Sequence, residues 1–302
     1  MATIYEINED GSYDEIEAYD DAGSPGAVEP VLKPGKPLDP ANLTVIQEGL
    51  EMADVSATIC RQPVCAVVQG QGPRIVFHEV YTSIEALRRM LTPNVDLHAN
   101  RWLFQAMTQY LDRATIEYLN ARDDAQSSSS FSMNLNVSTL QSPEFLELAD
   151  RLSEKIRGSL IVELQLVDVY ADLAGFFRIR DTLHARGFKF CLDGIDHLTL
   201  PLIDRQALGF DLVKLIWQPE LHEKLQSAAG DALRAAAKRN GPDRMILARC
   251  DSRQALDAGR SMGIALYQGR LIDGLCEDFA ARETTARSMT TKDFENAHAA
   301  VA

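Results

Sequence analysis

Positive charge is scarce in this 302-residue chain: 30 Lys and Arg stand against 44 Asp and Glu, a formal net charge of −14. Sequence-independent binding of a nucleic-acid polymer needs clustered cations to neutralise phosphates, and the balance speaks against it. It speaks equally against adsorption to an anionic lipid surface. No apolar run approaches the roughly 20 residues that a spanning helix needs. The opening MATIYEINED has neither a basic nor an apolar segment, so no secretory leader and no direct membrane insertion are expected. Cysteine is sparse too. The five residues (Cys60, Cys65, Cys191, Cys250, Cys276) form no CxxC pair and no metal-like cluster, which fits buried thiols in a reducing, cytoplasmic setting. His78 and His197 lack the spacing of a zinc site and read as surface or packed side chains. A glycine-rich phosphate turn is also missing, because GQGPR (70–74) lacks the G-x-G-x-x-G spacing.

What is present is core-forming material, 46% of residues being hydrophobic. Residues 1–41 stand apart. Eight acids and no Lys or Arg lie between Met1 and Asp21, followed by a Pro/Gly-rich run to Pro40. Such a segment buries too little to offset its ordering entropy, which predicts an extended or disordered acidic extension. Spacing of Leu43, Val45, Ile46, Leu50, Met52 and Val55 predicts an amphipathic helix over 42–59. DDAQSSSS (123–130) reads as a loop.

From Phe131 onward the text is regular. Short apolar or alternating runs at Phe131–Val137, Leu160–Leu166, Phe188–Leu192, Leu212–Trp217, Met245–Cys250 and Ala265–Gln268 recur 20 to 33 residues apart. Helical stretches lie between most of them. Ser142-Pro143-Glu144 supplies a cap and first-turn proline, Gly187 a stop, Pro219 a start and Ser252 another cap. Alternating strands and helices imply βαβ units and a parallel sheet. Polar residues at the ends of several separate strands favour a closed barrel over an open doubly wound sheet, because a barrel gathers them at one mouth. The expectation is an α/β fold, a TIM-like (β/α) barrel over 42–280, with a tail at 281–302.

These strand-end residues resemble the EAL domain family of cyclic-di-GMP phosphodiesterases, from about Cys60 to Cys276. RQPV (61–64) is similar to the family's opening strand. HEVYTS (78–83) stands where the EAL-x-R signature lies, with Ser83 in place of the phosphate-binding Arg. NVS (136–138) resembles NLS, VELQL (162–166) the ExxE strand, and CLDGID (191–196) the DDFG motif, with Gly194 replacing its second Asp. DLVKLI (211–216) falls on KxD, 21 residues from Asp193 to Lys214 without a gap, and Ile216 replaces its Asp. CDSRQAL (250–256) resembles VETxEQL, and YQGR (267–270) the QGY motif.

The resemblance implies Glu79, Asn136, Glu163 and Asp193 as metal ligands and Lys214 and Asp251 as catalytic groups. Gln268 is its retained ligand contact; with Ser83 in place of the Arg, a bound nucleotide would need Arg249, Arg253 or Arg270 as the substitute cation and Tyr81 as the stacking plane. With Gly194 and Ile216 unable to ligate, one Mg²⁺ or Mn²⁺ is the most the set would hold, and no metal need be required. A lone strand-end carboxylate also caps or salt-bridges a barrel end, and Lys214 without its Asp neighbours would pair with Glu163 or Asp193. The rewritten loop 196–206, with Leu198, Leu200 and Leu202, is either an exposed apolar patch or buried packing. Two functions follow: a catalytically inactive regulator or adaptor acting through a protein partner, with cyclic-di-GMP binding open, or a weak metal-dependent cyclic-di-GMP phosphodiesterase.

Overall fold

The computed structural model describes residues 4–7, 13–16, 35–52, 55–68, 72–121, 130–152 and 160–281. Most of the predicted acidic extension and nearly all of the 281–302 tail lie outside these residues. In the described part of the extension, β1 (Ile4–Ile7) and β2 (Tyr13–Ile16) pair antiparallel instead of standing alone as an extended leader. IYEI and YDEI each begin and end on an apolar or aromatic residue, as a short strand does. The segment predicted to remain undocked also packs before its expected end. β3 (Lys36–Pro37) pairs in parallel with β6 (Val95–Asp96), and Leu38 is buried.

α1 (Pro40–Met52) starts with proline in its first turn, where a missing N–H costs nothing. It packs with α2 (Ile84–Leu91) and α3 (Arg101–Ala121) around Ile46, Leu50, Leu87, Leu97 and Met107. This satellite core lies beside a closed barrel. Its eight strands are β4 (Ile59–Ala66), β5 (Arg74–Thr82), β7 (Phe131–Asn134), β8 (Leu160–Gln165), β9 (Lys189–Ile195), β10 (Leu212–Ile216), β11 (Met245–Ala248) and β12 (Leu266–Tyr267). Hydrogen-bonded order runs β4-β5-β7-β8-β9-β10-β11-β12 and back to β4. β4 is antiparallel to both neighbours, and the other pairs are parallel.

Between the strands run α4 (Pro143–Arg151), α5 (Leu166–Ala171), α6 (Leu173–Ala185), α7 (Arg205–Leu208), α8 (Pro219–Leu225), α9 (Ala229–Asn240) and α10 (Arg253–Ser261). A further helix, α11, covers 270–281. Pro219 starts α8 as expected, and after a break around Ser227 a second helix, α9, runs on to Asn240. Ser142 and Ser252 cap their helices through side-chain oxygens, as the sequence of each start predicts, and Asp172 does the same for α6.

Side-chain alternation along the strands sorts the barrel into layers. Outward-facing Met133, Val162, Leu164, Phe190, Leu192, Val213, Leu215, Met245 and Leu247 form the large core beneath the helices. Inward-facing Val64, Phe77, Ile161, Cys191, Leu212, Ile246 and Leu266 fill the barrel's floor. Two residues further along these strands stand Glu79, Glu163, Asp193, Lys214 and Gln268; on β4, which runs the other way, Gln62 takes that place. The polar layer is thus fixed by a period of two above an apolar floor.

Candidate functional site at the barrel mouth

The polar layer is a connected network. Lys214 Nζ donates to Glu79 Oε2 at 3.0 Å and also bonds Glu163 Oε2, with only 4% of the lysine side chain exposed. Glu79 takes two further donors, Gln268 Nε2 at 2.5 Å and Asn134 Nδ2 at 2.6 Å. The other oxygen of Glu163 accepts from Ser132 Oγ at 2.5 Å. Asp193 accepts from its neighbour Gly194 N–H at 2.7 Å and from Gln165 Nε2 at 2.6 Å. All six carboxylate oxygens of Glu79, Glu163 and Asp193 therefore already receive a donor.

Burial sets the charge states. Desolvation pushes Glu79 up, but Lys214, Gln268 and Asn134 together pull it below the ordinary carboxylate range. Desolvation and the charge of Glu79 push Glu163 up to about 7, against the pull of Lys214. Asp193 is raised by desolvation, only partly offset by Lys214. Burial works against the Lys214 ammonium, yet Glu163, Glu79 and Asp193 hold its pKa well above the usual lysine value. Glu79 and Lys214 are thus the firmly charged pair.

Above this layer opens a cavity of about 620 Å³, within the size range of small-molecule sites. Glu79, Tyr81, Asn134, Gln165 and Asp193 line one side, and Phe104, Gln105, Thr108 and Asp112 of α3 the other. The described lining residues include no Lys or Arg.

Of the residues predicted from sequence, Glu79, Glu163, Asp193, Lys214 and Gln268 come together, and Tyr81 lines the cavity. Asn136 does not join the carboxylates. It lies beyond β7 and turns toward α3, its backbone N–H and Nδ2 each 2.7 Å from Asp112 Oδ2. Asn134, two residues earlier, faces Glu79 instead. The signal was available, since strand alternation from inward Ser132 puts Asn134 in the same layer as its register partner Glu163. Asp251 and Arg270 also stand outside the network. They pair with each other at the rim, 3.1 Å apart, with 75% of the arginine side chain exposed.

Gln165 and Asp112 were not anticipated. A Cβ built on Gly194 would stand 2.7 Å from Gln165 Oε1, and Gly194 itself has φ +78°. Gln165 fills the room that a side chain at Gly194 would need. Asp112 is buried and accepts from Asn136 and Thr139, and desolvation pushes it up to about 7 despite those bonds.

The literal tripeptide Glu85-Ala86-Leu87 is helical. Ser83 caps α2 through Ala86 N–H, Leu87 is buried in the satellite core, and Glu85 faces solvent beside Arg89. Glu79 on β5 is the glutamate that enters the mouth, as alignment with the strand predicts.

Residues 57–273 match the EAL domain family. The chain belongs to that family. No curated protein matches it. Among solved structures, the EAL domain of Xanthomonas citri FimX, in complex with cyclic-di-GMP, is similar at 16% identity and TM-score 0.52, over 76% of this chain and 92% of that one. Vibrio cholerae LapD S helix-GGDEF-EAL, bound to cyclic-di-GMP, is similar at 14% identity and TM-score 0.54, over 77% of this chain and 56% of that one. Likeness at these identities establishes the fold, and the barrel here is that of an EAL domain.

The residues of this EAL domain do not suit the pair of divalent metals that two-metal hydrolysis needs. A hard cation takes oxygen lone pairs at about 2.0–2.6 Å, and each carboxylate oxygen in the layer is already engaged by an N–H or O–H. Gly194 offers no side chain and Ile216 no oxygen. Among the described residues no group of three or more His, Cys, Asp or Glu is arranged to hold a metal. No helix among them is long and apolar enough to cross a membrane.

Proposed function

We propose that this EAL domain is a non-hydrolytic member of cyclic-di-GMP signalling, acting as a regulator or adaptor through contacts with a protein partner. One observation carries the reading: the two positions that would complete a second metal site are Gly194 and Ile216, and the space beside Gly194 is filled by Gln165. Two-metal diester hydrolysis needs oxygen ligands for both ions and a water between them. Lys214, paired with Glu79 and Glu163, is not free to act on a water. Asp251, the other implied catalytic group, is held at the rim by Arg270.

The loop 196–206 supports a contact role. Leu200 is buried, whereas Leu198 and Leu202 are 65% and 79% exposed. The loop is pinned. Asp196 accepts from Leu198 N–H and Thr199 N–H, and Arg239 donates to the carbonyls of Pro201 and Ile203. An apolar pair on a braced loop loses little entropy when covered.

Nucleotide binding without turnover is the second reading, favoured by the cavity and by Tyr81 and Phe104 within it. FimX and LapD have both been solved with cyclic-di-GMP bound. Charge opposes it here. An ionised carboxylate within 4 Å of a phosphate opposes the ligand by up to about 4 kcal/mol at an effective dielectric near 20, and Glu79, whose neighbours hold it ionised, lines the cavity.

The deciding experiment incubates the protein with cyclic-di-GMP and Mn²⁺ or Mg²⁺ and follows linear dinucleotide by chromatography. The expected result is no product above the blank. Product that disappears in Glu79→Gln would establish the weak phosphodiesterase instead. Calorimetry without metal, showing no heat to near-millimolar nucleotide, separates the adaptor from the receptor.

A further inference from the structure

Two thiols that take no part in the polar layer meet where α11 packs on the barrel. Cys65 of β4 and Cys276 of α11 are 211 positions apart in the chain, yet their Sγ atoms lie 3.1 Å apart. Cys65 is buried, Cys276 is half-buried, and both are free thiols. The fold holds this encounter by other contacts. Ile272 is fully buried, Asp273 accepts from Gln62 Nε2 of β4 at 2.9 Å, and the Phe279 ring covers Gly72. A disulfide has an S–S length of about 2.05 Å, so the two sulfurs need close by only about 1 Å.

Exposure sets the order of reaction. Burial, and then the Cys276 thiol beside it, push the Cys65 thiol far above the ordinary range, which makes it a poor first nucleophile. Cys276, the member that solvent reaches, meets an oxidant first. Cys191 and Cys250 are fully buried and their thiols are pushed up by desolvation, so both are inert. Cys60 contacts the Thr58 carbonyl.

We propose that Cys65 and Cys276 form a redox modification site, oxidised by a low-molecular-weight disulfide to an internal disulfide that locks α11 to β4. In the first step the Cys276 sulfur bonds one sulfur of the small disulfide RSSR. The S–S bond of RSSR breaks, and one RSH leaves with the Cys276 proton. In the second step the Cys65 sulfur bonds Cys276 Sγ, the mixed disulfide breaks, and a second RSH leaves with the Cys65 proton. Two protein thiols are oxidised and one small disulfide is reduced to two thiols. Because the fold already holds the sulfurs together, the second step is intramolecular and outruns attack by an external thiol. α11 also carries Arg270 and Asp273, which are bonded to Asp251 and Gln62, so the lock reaches the rim of the mouth.

The test treats the full native chain with oxidised glutathione, counts free thiols by alkylation, and maps linked peptides by mass spectrometry without reduction. Two of the five thiols are expected to be lost, with Cys65 joined to Cys276. Amide exchange across 270–281 is expected to slow at least about tenfold on oxidation and to recover in dithiothreitol. Cys65→Ala is expected to stop at a single glutathione adduct on Cys276. Cys276→Ser, at a half-buried position, is expected to form no internal link and to show no change in exchange, and it keeps the test open if the buried substitution unfolds the chain. Wild type that keeps all five thiols, stops at a glutathione adduct or links other cysteines overturns the proposal. So does a Cys65–Cys276 link that leaves exchange across 270–281 unchanged. No nucleotide or metal is present, so the outcome is separate from whether the domain binds or cleaves cyclic-di-GMP.

Discussion

Gly194 and Gln165 form a matched pair in which the absent side chain of one is the space occupied by the other. Restoring a carboxylate by Gly194→Asp would put a Cβ 2.7 Å from Gln165 Oε1 at a φ of +78°. We expect a loss of about 1–2 kcal/mol, the usual cost of a left-handed non-glycine residue. Part of that loss should return in Gln165→Ala/Gly194→Asp, and a double-mutant cycle on denaturant midpoints reads the coupling. Arg249 shows the converse. It is the only described non-glycine residue with positive φ, at 56°, so Arg249→Gly should hold or raise Tm. Asp112 supplies a pH test. Its folded pKa, pushed up to about 7 by burial, lies above the ordinary 3.8, so the folded state binds this proton more tightly than the unfolded state does. Its contribution is fully present below about pH 4 and is lost as pH rises through about 7. Denaturation at stepped pH should show Asp112→Asn losing less stability than wild type over that window. An unchanged pH profile would refute the assignment.

At the level of elements, α11 is a strap held along β4. Arg270 N–H donates to Asp251 at 2.7 Å, Gln62 Nε2 to Asp273 at 2.9 Å, and the Sγ atoms of Cys65 and Cys276 lie 3.1 Å apart. The turn into this helix depends on Gly269, whose φ is +148° and whose Cβ would stand 2.5 Å from the Cys250 backbone N. Backbone cannot yield there as a side chain can. Gly269→Ala should cost more than about 2 kcal/mol, with hydrogen exchange rising first across 270–281. The mouth-facing wall of α3 is held differently, by the Asp112–Asn136–Thr139 cluster at the end of β7. Asn136 thus anchors a helix to the barrel, and Asn134 serves the polar layer.

For the whole molecule, the net charge of −14 and the absence of Lys and Arg among the described cavity-lining residues act in the same direction. Any anionic ligand approaching the mouth meets repulsion that salt screens. Any cyclic-di-GMP affinity measured in metal-free buffer should therefore rise as NaCl is raised from low to physiological concentration. Affinity that falls with salt would reveal cationic contacts in the bound state and would favour a receptor.

Chain chemistry alone determined the barrel. Apolar runs with period two, separated by capped helices, leave few other ways to bury so much surface, and β7 to β12 lie where those runs stand. The same period placed Glu79, Glu163, Asp193, Lys214 and Gln268 in one layer, because a strand that buries residue i in the floor must point residue i+2 the same way. Tertiary structure decided the rest. Alternation from Ser132 already pointed to Asn134, whereas the turn of Asn136 toward Asp112 depended on where β7 stops. The partners of Asp251, Gln165 and Asp112 come from segments distant in sequence and adjacent only once the barrel closes. That Lys214 pairs with both Glu79 and Glu163 was likewise a matter of distance, fixed when β5, β8 and β10 converge.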